Sequence, residues 1–239
     1  MGMRRFNFIL LIVVGVVAFS SVGYVRNYTT NHITYIDTTT QGGTLQYTVI
    51  PKIGLDTVLS VEGMKSLFIG DSHTSGYGWG WQDILCKKTG MTLLNTAVGG
   101  KRTDWMIKQL NIHKRKGFDY CFIYGGANDC ASSVSPRTAF MNIQKMVDTC
   151  LSNNMIPVVI TGTDPNVTFT GKSPEWKDYV RKKTEFQNYL VDSLQRATVV
   201  DTRFIPRSDC ADFVCHMNIQ GHRKTANAVI ETLNFKTKE

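Results

Sequence analysis

The 239-residue sequence has no internal repeat and no low-complexity tract, and nothing in its composition reads as disordered or fibrous. It lacks a metal-binding pattern: His216 and His222 are not at i, i+4 spacing, and no cysteine or carboxylate cluster completes a site, so no metal is expected. It lacks a dinucleotide fingerprint too, because Gly99-Gly100 is not followed by the G-x-G-x-x-G spacing, and no cofactor is expected. Acidic residues are fewer than basic ones, 19 against 27, yet the net charge of +8 comes from scattered clusters such as Lys101-Arg102, Lys114-Arg115-Lys116 and Arg181-Lys182-Lys183. With no recognition motif beside them, such clusters read as a solvated surface, not as a nucleic-acid interface. They leave room only for a weak attraction to anionic polymers or lipid headgroups.

What is present begins with a positive start, Arg4-Arg5, followed by an apolar run from Phe8 to Phe19 that continues less purely to Val25, a stretch from Phe6 to Val25 in which Asn7, Ser20 and Ser21 shorten the strictly apolar part. That whole stretch is about 20 residues, the length of a membrane-spanning helix. It predicts a signal anchor or signal peptide over 1–26, with a poor cleavage pattern near Ala18-Phe19-Ser20 favouring the anchor, and a chain that is membrane-anchored or secreted beyond it. In an oxidising compartment the six cysteines are permitted to form disulfides. Cys210 and Cys215 are near enough in sequence to close a small loop, a bridge contributing about 2 kcal/mol if unstrained. Cys121 lies within a strand-like run and reads as a small buried hydrophobe.

The Thr-rich stretch 27–63 reads as a spacer with one or two short strands. From there a regular alternation sets in. Strands are predicted over 65–69, 91–98, 118–124, 156–161 and 198–202, and helices over 81–88, 104–113, 137–153, 175–195 and 219–235. Strands alternating with helices at this spacing predict one α/β domain over 64–239, a three-layer α/β/α architecture around a parallel sheet. All strand C-terminal ends then open on one edge, where such sheets keep their chemistry. Ser72, Gly100 and Asn128 fall just past three of these ends.

Ser72, in Gly70-Asp71-Ser72-His73, is the candidate nucleophile. It is not in a G-x-S-x-G elbow. Four short blocks stand in order: Gly70-Asp71-Ser72-His73, Asn95-Thr96-Ala97-Val98-Gly99-Gly100, Gly126-Ala127-Asn128-Asp129, and Asp212 with His216. Together they resemble the sequence blocks of the SGNH (GDSL-like) hydrolases over roughly 64–233, which implies a flavodoxin-like sheet. The resemblance implies Ser72 as nucleophile, His216 as its base, and Asp212 as the acid that orients the imidazole. It implies oxyanion donors in Ser72, Gly100 and Asn128. The family's usual spacing puts the acid three residues before the histidine, a position held here by Phe213, so Asp209 stands as the alternative to Asp212. A serine hydroxyl is a poor nucleophile without an adjacent base, and the tetrahedral oxyanion needs preplaced donors, so each of these residue types answers a chemical need.

Asp71 reads as a brace for the loop, and His222 as a structural residue. His73, Tyr77 and Trp79 are candidate substrate-lining residues; Tyr77, Trp79 and Trp81 suit stacking on sugar rings as well as plugging a core. Asn27-Tyr28-Thr29 and Asn166-Val167-Thr168 are glycosylation sequons. The expectation is an extracytoplasmic serine esterase acting through an acyl-enzyme on an acylated small molecule or glycan, with O-acetylated carbohydrate preferred. A lipid or thioester hydrolase, an acyltransferase of the same fold and a catalytically silent glycan-binding module are the alternatives. The membrane is the expected partner of the N-terminal segment, and nucleic acid is not expected.

Overall fold

The computed structural model describes residues 25–30, 33–38, 46–51, 58–76, 78–212 and 216–238, the first three segments by their backbone alone. The expected anchor lies outside the described residues apart from its last two positions. Among the described residues no helix is long and apolar enough to cross a membrane. The stretch read as a spacer carries three strands, β1 (Val25–Thr30), β2 (Ile33–Thr38) and β3 (Gln46–Pro51), where one or two were expected. They pair antiparallel in the order β1-β2-β3, with Tyr28 opposite Tyr35 and Tyr35 opposite Val49.

The main sheet contains β4 (Lys65–Gly70), β5 (Thr92–Asn95), β6 (Tyr120–Tyr124), β7 (Ile156–Ile160) and β8 (Thr198–Val200). All are parallel, in the order β5-β4-β6-β7-β8. The chain steps from β4 to one side, then returns to build on the other. That reversal makes the C-terminal ends of β4 and β6 a switch point, where open α/β sheets bind ligands.

Central strands covered on both faces read as continuous apolar runs, and β4 shows why. Its Phe68 joins Trp81, Leu85, Phe122, Val158 and Val229 on one face, while Leu67 and Ile69 join Met106, Leu110, Ile123, Ile143 and Leu190 on the other. The first face is covered by α1 (Trp81–Thr89) and α7 (Ile219–Leu233), the second by α2 (Thr103–His113), α4 (Pro136–Leu151) and α6 (Pro174–Ser193). These helices fall within a few residues of the expected spans. The sequence pattern did not reveal the short α3 (Ala127–Cys130) and α5 (Pro165–Thr168). β5 is shorter than expected because Asn95 turns the chain: its Oδ1 accepts from the Ala97 N–H at 3.0 Å and its Nδ2 donates to the Thr74 carbonyl at 2.7 Å. Cys210 is disulfide-bonded, and its expected partner Cys215 lies outside the described residues. Cys86, Cys121, Cys130 and Cys150 are free and buried.

Candidate active site

β4 ends where it does because of Gly70. A Cβ at this position would lie 2.5 Å from the Tyr124 carbonyl of β6 and 2.9 Å from Thr74 Oγ1, so only glycine allows the turn to close here. The Asp71 carbonyl then accepts from the N–H groups of Thr74 and Ser75, both at 3.0 Å. This tight turn holds Ser72 at the sheet edge.

Ser72 Oγ lies 2.8 Å from His216 Nε2, and His216 Nδ1 lies 2.5 Å from Asp212 Oδ2. An ionised carboxylate only accepts, so Nδ1 carries the proton and Nε2 is left to accept from the serine hydroxyl. Asp212 also accepts from the His216 N–H through Oδ1, at 2.9 Å. It therefore grips ring and backbone of one residue, which the four-residue spacing permits. Asp209 is occupied elsewhere, 2.5 Å from Lys224 Nζ. The structure thus brings together Ser72, His216 and Asp212, and leaves Asp209 out.

Gly100 and Asn128 reach the same edge from the ends of β5 and β6. Gly100 takes a φ of +74°, a conformation open to glycine at little cost. Among the described residues the N–H groups of Ser72 and Gly100 donate to no protein acceptor, which leaves both free for a substrate oxygen. Asn128 Nδ2 donates to Asp71 Oδ2 at 3.2 Å and to the Lys101 carbonyl at 3.1 Å. Both bonds are at the long end of the normal range, so an oxyanion would share an amide hydrogen with one of them.

The sequence profile of the GDSL-like lipase/acylhydrolase family matches residues 68–224, well over half the chain. The chain belongs to this family. Structural comparison agrees in fold. A lipolytic protein of the G-D-S-L family from Veillonella parvula superposes with a TM-score of 0.59 at 18% identity, covering 71% of this chain and 97% of that one. An acetylxylan esterase from Geobacillus stearothermophilus gives 0.56 at 15% identity, covering 74% and 98%. A lipase/acylhydrolase from Enterococcus faecalis gives 0.52 at 19% identity, covering 73% and 97%. No curated protein sequence matches significantly. As a GDSL-like acylhydrolase, the chain is a serine hydrolase of carboxylic esters.

The acylhydrolase site has a buried layer that sequence reasoning did not anticipate. Burial pushes the Asp71 carboxyl up to about 6, against the stabilising N–H of His73 at 3.0 Å. Lys183, buried on α6, feels that carboxyl's charge; its amine is lowered to about 8 by desolvation and partly restored by Cys130 and Asp71. Within the triplet Arg181-Lys182-Lys183 it had read as surface. The available signal was the stripe Tyr179, Lys183, Phe186, Gln187 and Leu190, which falls at helical spacing on the buried face.

The candidate substrate-lining residues divide. His73 is buried, stacked on Tyr124 at 5.2 Å and facing the His216 ring at 5.2 Å, so it backs the imidazole. Trp79 is 53% exposed with its ring edge against His222 at 5.1 Å. Tyr77 lies outside the described residues. His222 is structural: Nδ1 accepts from the Trp81 N–H at 3.2 Å, and burial lowers its pKa to about 4.

Proposed function

We propose that this acylhydrolase is an extracytoplasmic carbohydrate O-acetyl esterase in which Ser72 is the nucleophile, His216 the base and Asp212 the orienting acid. The observation that carries the catalytic roles is the unbroken hydrogen-bonded chain Ser72–His216–Asp212 at the mouth of the parallel sheet. Ser72 Oγ attacks the ester carbonyl carbon as its proton passes to His216 Nε2. The oxyanion accepts from the N–H groups of Ser72 and Gly100 and from the Asn128 amide. The tetrahedral intermediate collapses, the sugar hydroxyl leaves with the proton held by His216, and Ser72 remains acetylated. Water then attacks the acetyl carbonyl, giving its proton to His216. Acetic acid departs as that proton returns to Ser72 Oγ, and ionises to acetate in water.

Acetylated carbohydrate is supported by the exposed ring of Trp79, seven residues after Ser72 in the loop that leads to α1, which suits stacking on a sugar. The fold it shares with an acetylxylan esterase is compatible with that substrate. A silent binding module drew its credibility from the extra residue between Asp212 and His216, and the carboxylate spans it. The 1–26 segment supports a location outside the cytoplasm through its charge pattern.

The test uses the full-length protein with chromogenic esters of increasing acyl length and with acetylated oligosaccharides. The expected result is turnover of acetyl esters, acetate release from the oligosaccharides, and a steep fall with long acyl chains. Preference for long acyl esters would overturn the acetyl reading in favour of a lipid hydrolase.

A further inference from the structure

A cavity of about 550 Å³ opens beside the proposed oxyanion donors, with Gly100 and Asn128 forming part of its wall. Its far wall is the first turn and a half of α2, held in place by Asp129. That carboxylate accepts from the Thr103 N–H at 3.0 Å and from Thr103 Oγ1 at 2.6 Å, tying α2 to the residue next to Asn128. An acetyl group is far too small to need such a space. The cavity therefore suits the alcohol side of the ester, the sugar.

Its chemistry is uneven. Lys101, Arg102 and Lys108 face one carboxylate, Asp104. Arg102 is committed to that carboxylate at 3.3 Å. Lys101 and Lys108 form no ion pair among the described residues. Lys101 Nζ stands 5.8 Å from the centre of the half-buried Trp105 ring, so a cation and an aromatic face share the same wall. A neutral sugar would use only the ring, leaving Lys108 with the distant pull of Asp104 and Lys101 with the Trp105 face; a sugar with a carboxylate would use the ring and both ammonium groups. A second cavity of about 310 Å³ adjoins along Ala131 and Ser132, but there Glu175 and Asp178 outnumber Lys182, which is paired to Asp178 at 2.8 Å. The surplus of positive charge belongs to the cavity nearer Ser72.

We propose that this cavity is a subsite for an anionic, uronate-type sugar of the acetylated glycan, with Lys101 and Lys108 holding the carboxylate and Trp105 stacking on the ring. The proposal rests on the carbohydrate esterase reading above. It also assigns a use to part of the chain's net charge of +8, since a cationic cleft raises the local concentration of an acidic polymer.

The experiment compares kcat/KM of the full-length protein for acetate release from acetylated oligogalacturonate, its carboxyl-methylated neutral form, and acetylated xylo-oligosaccharide. At low salt the oligogalacturonate is expected to be preferred by about tenfold, the combined effect of two partly exposed ion pairs. Methylation of the carboxyls, rising salt, and the Lys101→Gln/Lys108→Gln variant should each bring the ratio toward one. A merely structural role for the lysines would lower all substrates together and leave the ratio intact, which would overturn the subsite. A wild-type ratio near one at low salt would overturn it equally. Turnover of a simple acetyl ester with no acetate released from any glycan would overturn the carbohydrate reading itself, a distinguishable failure.

Discussion

One residue more than the family's usual spacing separates Asp212 from His216, and the site turns that residue to use. Across four positions the carboxylate reaches the Nδ1 at 2.5 Å and the N–H of the same histidine at 2.9 Å, fixing tautomer and backbone together. Asp212→Asn is expected to lower kcat by about 10³- to 10⁴-fold with little change in KM, because an amide can hold the imidazole in the wrong tautomer. Asp209→Asn should leave the pH profile and kcat near wild type, since its carboxylate serves Lys224. Steady-state kinetics of the two variants separates the candidates that the sequence left open. Ser72, Gly100, Asn128 and His216 were legible through the order of four short blocks that resemble the family's, three of them just past strand ends; taken singly, each block is weak. The Asp71–Asn128 bond was not, since it depends on which strand ends meet across the sheet; buried Lys183 was hidden by its charged neighbours Arg181 and Lys182, although the apolar stripe of α6 runs through it.

Among the elements, α7 matters most for the histidine, because its N-cap Asn218 follows His216 by only two residues. Asn218 Oδ1 accepts from the N–H groups of Gln220 and Gly221, and Nδ2 donates to the Ser208 carbonyl at 3.0 Å. The cap therefore ties the helix start to the loop that carries Asp212 and His216. Asn218→Ala is expected to cost about 1 kcal/mol in urea unfolding, the ordinary worth of such a cap, and to reduce kcat as the His216 loop loosens. The five main strands and long helices could be read from apolar runs and helical stripes, as β4 and α4 illustrate. The four-residue helices α3 and α5 could not: they are too short for a period and arise from the turns after β6 and β7. The third strand of the N-terminal sheet escaped because Thr-rich alternation sets no clear boundary.

For the molecule as a whole, pH stability follows from its buried histidines. His222 is lowered to about 4 and His73 also lies well below the ordinary histidine value, in both cases mainly through desolvation. The unfolded chain takes up these protons near pH 6.5 and the folded one does not. The stability they contribute is therefore present above about 6.5 and lost as pH falls toward 4, by up to about 3 kcal/mol for His222. Asp71 works in the opposite sense: raised to about 6, it binds a proton more readily when folded, so its contribution declines as pH rises from about 4 to 6. Denaturant unfolding between pH 7 and 4.5 should show net acid loss that is smaller in His222→Asn, which retains an acceptor for the Trp81 N–H. A thiol count on denatured, unreduced protein should give four, matching the four free cysteines; six would rule out the Cys210 bridge.

The central claim, that Ser72 is the nucleophile of an acyl-enzyme esterase, meets its most direct test in mass spectrometry of the full-length protein quenched during turnover of an acetyl ester. The account predicts one acetyl group on the peptide containing Ser72, absent along with turnover in Ser72→Ala. Turnover that survives in Ser72→Ala, or an acetyl group carried on another residue, would contradict it.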